Sequence, residues 1–150
     1  MTTAAGYVLA FDVGTRTIGV AIGHPISGSA RALSTVAVSH GRIDWSAIDI
    51  LVKDWQPQAF VVGLPLALDG SEQEMTRHAR SFAGELGRRY NRDVHESDER
   101  FTSKEAARRF ARQRAQGTAK RKHGAKIDAL AAQIILESWL AHPDHKATFS

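Results

Sequence analysis

The chain contains no cysteine. That excludes a disulfide framework and a thiolate zinc site, and it suits a reducing compartment. No apolar run approaches the roughly 20 residues that a membrane-spanning helix requires. The opening Met1-Thr2-Thr3-Ala4-Ala5-Gly6 is short, uncharged and leads into a strand rather than a secretory h-region. A soluble cytoplasmic protein without membrane contact is expected. Acid is locally scarce as well: between Lys104 and Lys126 only Glu105 carries a negative charge.

What is present fits one compact domain over residues 1–150, with an ordered core from about 7 to 140 and no internal linker. At 150 residues and 43% hydrophobic content, a chain buries roughly 70% of its unfolded surface on folding. Its net charge of +4 is unevenly placed. Residues 104–126 carry nine Lys or Arg against one Glu, a local +8 that leaves −4 for the rest. A concentrated basic block on an otherwise acidic chain is the footprint of a phosphate-backbone binder. The same block holds Gln116-Gly117-Thr118-Ala119-Lys120-Arg121-Lys122-His123-Gly124, which reads as a mobile basic loop.

The chain is organised around Tyr7 to Gly23. Two apolar segments joined by Gly14-Thr15-Arg16-Thr17 read as a β-hairpin, and the first is apolar on both alternating faces, as in a central strand covered on both sides. Asp12 interrupts it. A buried, unpaired carboxylate costs several kcal/mol, so either the Gly14 and Thr15 amides hydrogen-bond Asp12 or a bound cation neutralises it.

Strands at about 7–13 and 17–23 and a short one from Ala32 to Val38 form an antiparallel meander. Ile43, Ala47, Ile48, Leu51, Val52 and Trp55 keep helical spacing, and Gln56-Pro57 ends that helix. Ala59 to Gly63 is a fourth strand, parallel to a member of the first group through the intervening helix. Ser71 caps a second helix with Glu74 completing a capping box. It ends near Tyr90-Asn91. Asp93 to Ser97 is a fifth strand, and Thr102 or Ser103 caps a helix through about Arg114. The expected fold is α/β, a mixed five-stranded sheet with helices on both faces.

Two further acids stand where such a sheet could gather them. Asp98-Glu99 follows the fifth strand, and alternation allows only one of the pair to face a given site. Asp128 opens the last helix, from about Ala125, on a stripe with Ala131, Ala132, Ile135 and Trp139. A plain alternative is an acid in the first turn favoured by the helix dipole. Three carboxylates at one sheet edge are hard oxygen ligands suited to Mg²⁺ or Mn²⁺. One or two such ions can activate water and stabilise a leaving oxygen in phosphodiester hydrolysis.

Four ordered motifs carry a resemblance. These are Phe11-Asp12-Val13-Gly14-Thr15-Arg16-Thr17-Ile18-Gly19-Val20-Ala21, then Val62-Gly63-Leu64-Pro65 with Asp69-Gly70-Ser71-Glu72, then Asp98-Glu99-Arg100-Phe101-Thr102-Ser103, and Ile127-Asp128-Ala129-Leu130-Ala131-Ala132. Together the chain resembles the YqgF/RuvX family over roughly residues 7 to 140. The resemblance implies a ribonuclease H-like fold and a nuclease that processes the 5′ end of the small-subunit (pre-16S) ribosomal RNA precursor, or resolves Holliday junctions. It also implies Asp12, Glu99 and Asp128 as catalytic, metal-binding acids, and the motif leaves Asp98 open against Glu99. Arg16, Arg100, Lys120, Arg121, Lys122 and Lys126 are the expected contacts to structured RNA or branched DNA.

The Asp-x-Gly-Thr hairpin also resembles the phosphate-binding turn of actin-like ATPases and sugar kinases, but those clamp nucleotide between two domains and this length supplies one. A non-catalytic RNA-binding assembly module is a third reading. With no heptad seam in sight, a monomer is expected over a homodimer.

Overall fold

The computed structural model describes residues 6–99 and 124–141, with the backbone alone described for 124–127. The helix expected from Thr102 or Ser103 and the basic loop before Gly124 lie outside the described residues.

The apolar first segment forms β1 (Val8–Val13), in which Val8, Leu9, Ala10 and Phe11 are completely buried. It lies between β2 (Thr17–His24), antiparallel to it, and β5 (Ala59–Leu64), parallel to it. β2 pairs with β3 (Ser29–Ser39), β3 with the two-residue β4 (Arg42–Ile43), and β5 in parallel with β6 (Asp93–Asp98). The order is β4-β3-β2-β1-β5-β6. This is the expected mixed α/β sheet with one short strand more than the five anticipated. β4 takes Ile43 out of the first helix, because the chain pairs once more with β3 before it turns.

That helix, α1 (Trp45–Trp55), starts after Asp44, whose carboxylate accepts a hydrogen bond from the Ala47 N–H at 3.3 Å, the usual N-cap arrangement. It stops at Gln56, which is left-handed with φ 45° directly before Pro57. The second helix, α2 (Glu74–Tyr90), is not capped by Ser71 as expected. Ser71 N–H donates to the Asp69 side chain at 2.9 Å and so belongs to the preceding turn. Gln73 is the cap, in a reciprocal box with Thr76, whose buried hydroxyl also donates to the Pro65 carbonyl at 2.6 Å. Tying the helix start to the loop after β5 outweighs the sequence preference for Ser.

Strand alternation divides the core. Leu9, Phe11, Ile18, Val20, Phe60 and Val62 pack on one face with Ile48 and Val52 of α1 and Phe82 and Leu86 of α2. Val8, Ala10, Ala21 and Val61 pack on the other with Ala132, Ile135, Leu136 and Trp139 of α3 (Gly124–Leu140). Helices therefore cover both faces, and Trp139, 1% exposed, anchors α3. Its truncation to Ala would destabilise by about 3 to 5 kcal/mol. Among the described residues no helix is long and apolar enough to cross a membrane.

Candidate active site

Alternation also decides which acids meet. Asp12 shares a face with Val8 and Ala10, the face that α3 covers. Asp98 pairs with Leu64, a residue of the opposite face. Glu99, one residue on, therefore returns to the α3 side, and its N–H donates to the Leu64 carbonyl at 3.1 Å, adding one bond beyond β6. Glu99 is buried, 7% exposed, whereas Asp98 is exposed. Of the adjacent acids, it is Glu99 that meets Asp12.

The two carboxyl groups share a proton. Burial first, and then the neighbouring charge of Asp128, raise Asp12 to about 7, while its hydrogen bond with Glu99 pulls the other way. Burial, the charge of Asp12 and that same hydrogen bond, with a contribution from Asp98, push Glu99 up to about 9. Both carboxyls are thus held above the ordinary carboxylate range, and the proton of the hydrogen bond between them belongs to the pair. Glu99 Oε2 is buried and, among the described residues, has no hydrogen-bond partner.

Asp128 arrives from α3. The helix begins at Gly124, so Asp128 lies in its second turn, past the first-turn position that a dipole role requires. The Thr17 hydroxyl donates to Asp128 Oδ2 and fixes that side chain. Gly19, directly opposite Asp12 across the β1–β2 ladder, lets the helix backbone come against the strand. Gly63 does the same for Glu99: a Cβ there would stand 2.6 Å from Glu99 Oε2 and 2.6 Å from Ile135 Cδ1. In the sequence, Thr17, Gly19 and Gly63 stand out only as members of a motif. Their signal was a small residue one strand over from an acid, at matching parity.

The hairpin does not satisfy Asp12 in the expected manner for Gly14, whose amide donates to the Thr17 carbonyl at 3.0 Å instead. Arg16 is exposed on that turn, and its carbonyl accepts from Val38 N–H at 2.9 Å. Lys126 lies in the first turn of α3, its side chain outside the described residues, as are Arg100, Lys120, Arg121 and Lys122.

The donor set fits a hard divalent cation. Among the described residues no three such side chains converge as a ready-made cage. Yet the buried Glu99, the half-buried Asp12 and a third acid lie together, and among the described residues no positive side chain pairs them; burial and mutual repulsion hold Asp12 and Glu99 from full ionisation. A cation would supply the missing charge and engage the partnerless Glu99 oxygen.

Comparison with known proteins bears on the fold and the family. A solved structure of Thermus thermophilus RuvC in complex with Holliday junction substrate matches with a TM-score of 0.50 at 15% identity, over 87% of this chain and 91% of that one. The likeness is one of fold, and the architecture is ribonuclease H-like. A protein of Xanthomonas oryzae pv. oryzae named "Putative pre-16S rRNA nuclease" is 47% identical over 139 residues, 93% of this chain and 90% of its own. One of the same name from Xylella fastidiosa is 46% identical over 138 residues, covering 92% and 89%. A family model described as RuvX, Holliday junction resolvase, matches residues 6–142. The chain belongs to the RuvX family.

Proposed function

We propose that this protein is a cytoplasmic, metal-dependent nuclease that hydrolyses phosphodiester bonds at the 5′ end of the small-subunit (pre-16S) ribosomal RNA precursor. The observation that carries the proposal is the buried Glu99 oxygen, without a hydrogen-bond partner among the described residues, on a carboxyl beside Asp12, which itself feels the charge of Asp128. Asp12, Glu99 and Asp128 would hold Mg²⁺ or Mn²⁺. Bound there, the ion supplies an activated water and stabilises the leaving oxygen.

The chain's own residues prepare that chemistry. Asp12 sits on a buried central strand and Glu99 on the ladder bond that prolongs β6, so neither carboxyl wanders. Thr17 orients Asp128. The proton between Asp12 and Glu99 must leave before both can serve as anionic ligands, which makes metal uptake proton-releasing. Arg16, on the hairpin turn next to Asp12, faces solvent where a phosphate backbone can reach it. Lys120, Arg121 and Lys122, together with Arg100 and Lys126, add positive charge for the attraction.

The family description favours a second reading, resolution of a four-way DNA junction. That reaction takes two symmetric cuts and thus two sites related by a two-fold axis, whereas RNA trimming takes one, and the monomer is proposed. Labelled pre-16S RNA fragments, four-way junctions and single strands incubated with Mg²⁺ and Mn²⁺ test the reading. Metal-dependent cleavage of the RNA by a monomer is expected. Paired incisions in a junction by a tight dimer would replace it with the resolvase, and binding without any cleavage would replace it with an RNA-binding assembly module.

A further inference from the structure

At the end of the sheet away from the carboxylates lies a cavity of about 430 Å³, lined by Tyr7, His24, Ser27, Ser29, Arg31 and Trp55 together with small and aliphatic residues of β2 and β3. Local chain geometry builds it. Tyr7 precedes β1, Trp55 closes α1, and the β2–β3 turn passes through Gly28 at φ 70°.

The Arg31 guanidinium lies over the Trp55 ring, its carbon 5.4 Å from the centroid. Tyr7 meets Trp55 and His24 at nearly right angles, with centroids 5.1 and 5.3 Å away. Among the described residues no acid lines the cavity and Arg31 has no carboxylate partner, in a chain with 16 acids. His24 Nδ1 accepts from Ile26 N–H at 3.2 Å, so the ring carries its proton on Nε2. The Ser27 and Ser29 hydroxyls stand 2.8 Å apart on the turn.

This is a set of donors without opposing charge among the described residues, next to a flat cation lying over an indole face. The donors suit a phosphate, and the outer plane of a stacked guanidinium suits a base. An acidic peptide would use the donors but leave the plane idle. We propose that the cavity is a nucleotide-binding site, with the phosphate on Arg31 and His24 Nε2–H and the base against the Arg31–Trp55 stack. Tyr7 immediately precedes β1 and Asp12 lies five residues further along it, about 17 Å of extended chain, so the site is separate from the cleavage edge. That the nucleotide belongs to a bound strand rests on the nuclease reading. That the site takes a nucleotide does not.

The test is an NMR titration of the full chain without divalent ions, following the Trp55 indole N–H and the Gly23 and Gly28 amides. Uridine monophosphate is expected to move all three saturably, and to bind about tenfold more tightly than inorganic phosphate. Arg31→Ala should weaken uridine monophosphate at least tenfold. Arg31→Lys should keep the phosphate response and lose the gain from the base. With an unstructured RNA oligonucleotide, Arg31→Ala should reduce the slope of log K against log[salt] by about 1. An unchanged slope together with intact mononucleotide binding would overturn the role of the strand and leave a free-nucleotide site. Three results would overturn the site itself: no saturable shift, equal affinity for phosphate and uridine monophosphate, or tighter binding of a glutamate-rich peptide. Asp12→Asn should leave this titration unmoved while abolishing cleavage, so the two readings fail separately.

Discussion

A Cβ on Gly19 would run into the backbone carbonyl of Asp128, and the Ala129 nitrogen would lie 2.8 Å from that same atom. Gly19 is in turn the cross-strand partner of Asp12. One hydrogen-sized side chain therefore sets how close α3 comes to β2, and with it how close Asp128 comes to Asp12. Because the obstructing atoms are backbone, no rotamer change relieves the clash. Gly19→Ala is expected to destabilise the fold by about 1 to 3 kcal/mol and to weaken Mn²⁺ binding in calorimetry. An alanine variant that melts and binds metal like the wild type would show that α3 does not fix the acid.

Proton occupancy gives a pH test. Asp12 and Glu99 have carboxyls raised in the folded state, to about 7 and about 9 from ordinary values of 3.8 and 4.5. A raised carboxyl binds its proton more tightly folded than unfolded, so its contribution to stability is full below the unfolded pKa and is lost as pH rises through the folded one. Without metal, the wild type should lose melting temperature between about pH 5 and about pH 9 relative to an Asp12→Asn/Glu99→Gln variant. Saturating Mn²⁺ should reverse the difference at the alkaline end in the wild type alone. Parallel melting profiles with and without metal would contradict the shared proton.

Thr17 is a positioning residue, and its test separates orientation from packing. Thr17→Val keeps the shape and removes the hydroxyl that donates to Asp128. Turnover is expected to fall about tenfold to a hundredfold, the range for losing a group that orients a metal ligand. Thr17→Ser should retain most of it. A purely structural role would lower the melting temperature of the valine variant and leave metal affinity untouched.

Much of this was legible before any coordinates. The doubly apolar run around Asp12 marks a central strand, because a strand covered on both faces has no polar alternation to show. The parity that places Glu99 on the α3 side was not legible, since it depends on the register Leu64↔Asp98 and on a ladder bond beyond the strand end. Ser71 misled because capping preference is local, whereas Thr76 binds Pro65 eleven residues back. The spacing of Ile43 satisfies helix and strand alike, and pairing with Val38 decides it for β4.

Asp12→Asn and Asp128→Asn each delete a ligand charge at nearly constant shape. Both should fold, and both should lose metal-dependent cleavage. Circular dichroism and a melting curve check the first half and a cleavage assay in Mn²⁺ the second. Wild-type rates in either purified variant would make that acid structural. Asp12→Asn carries an added expectation: with a buried charge removed, it should melt higher than the wild type at alkaline pH without metal.

The basic block supplies the last prediction. Lys120, Arg121 and Lys122 precede the helix that carries Asp128, in a stretch where nine basic residues face one acid. If these three side chains meet phosphates, each releases condensed counterions on binding. Replacing all three with Ala should then weaken every RNA tested and lower the salt slope by roughly 2 to 3 units. Metal affinity should stay as it is, because the segment offers charge and no ligand oxygens of its own side chains. Residues that merely solvate a connection would leave both affinity and slope in place, so an unchanged slope with structured RNA rejects phosphate contact. Lost affinity with an altered base preference would instead place these side chains on base edges.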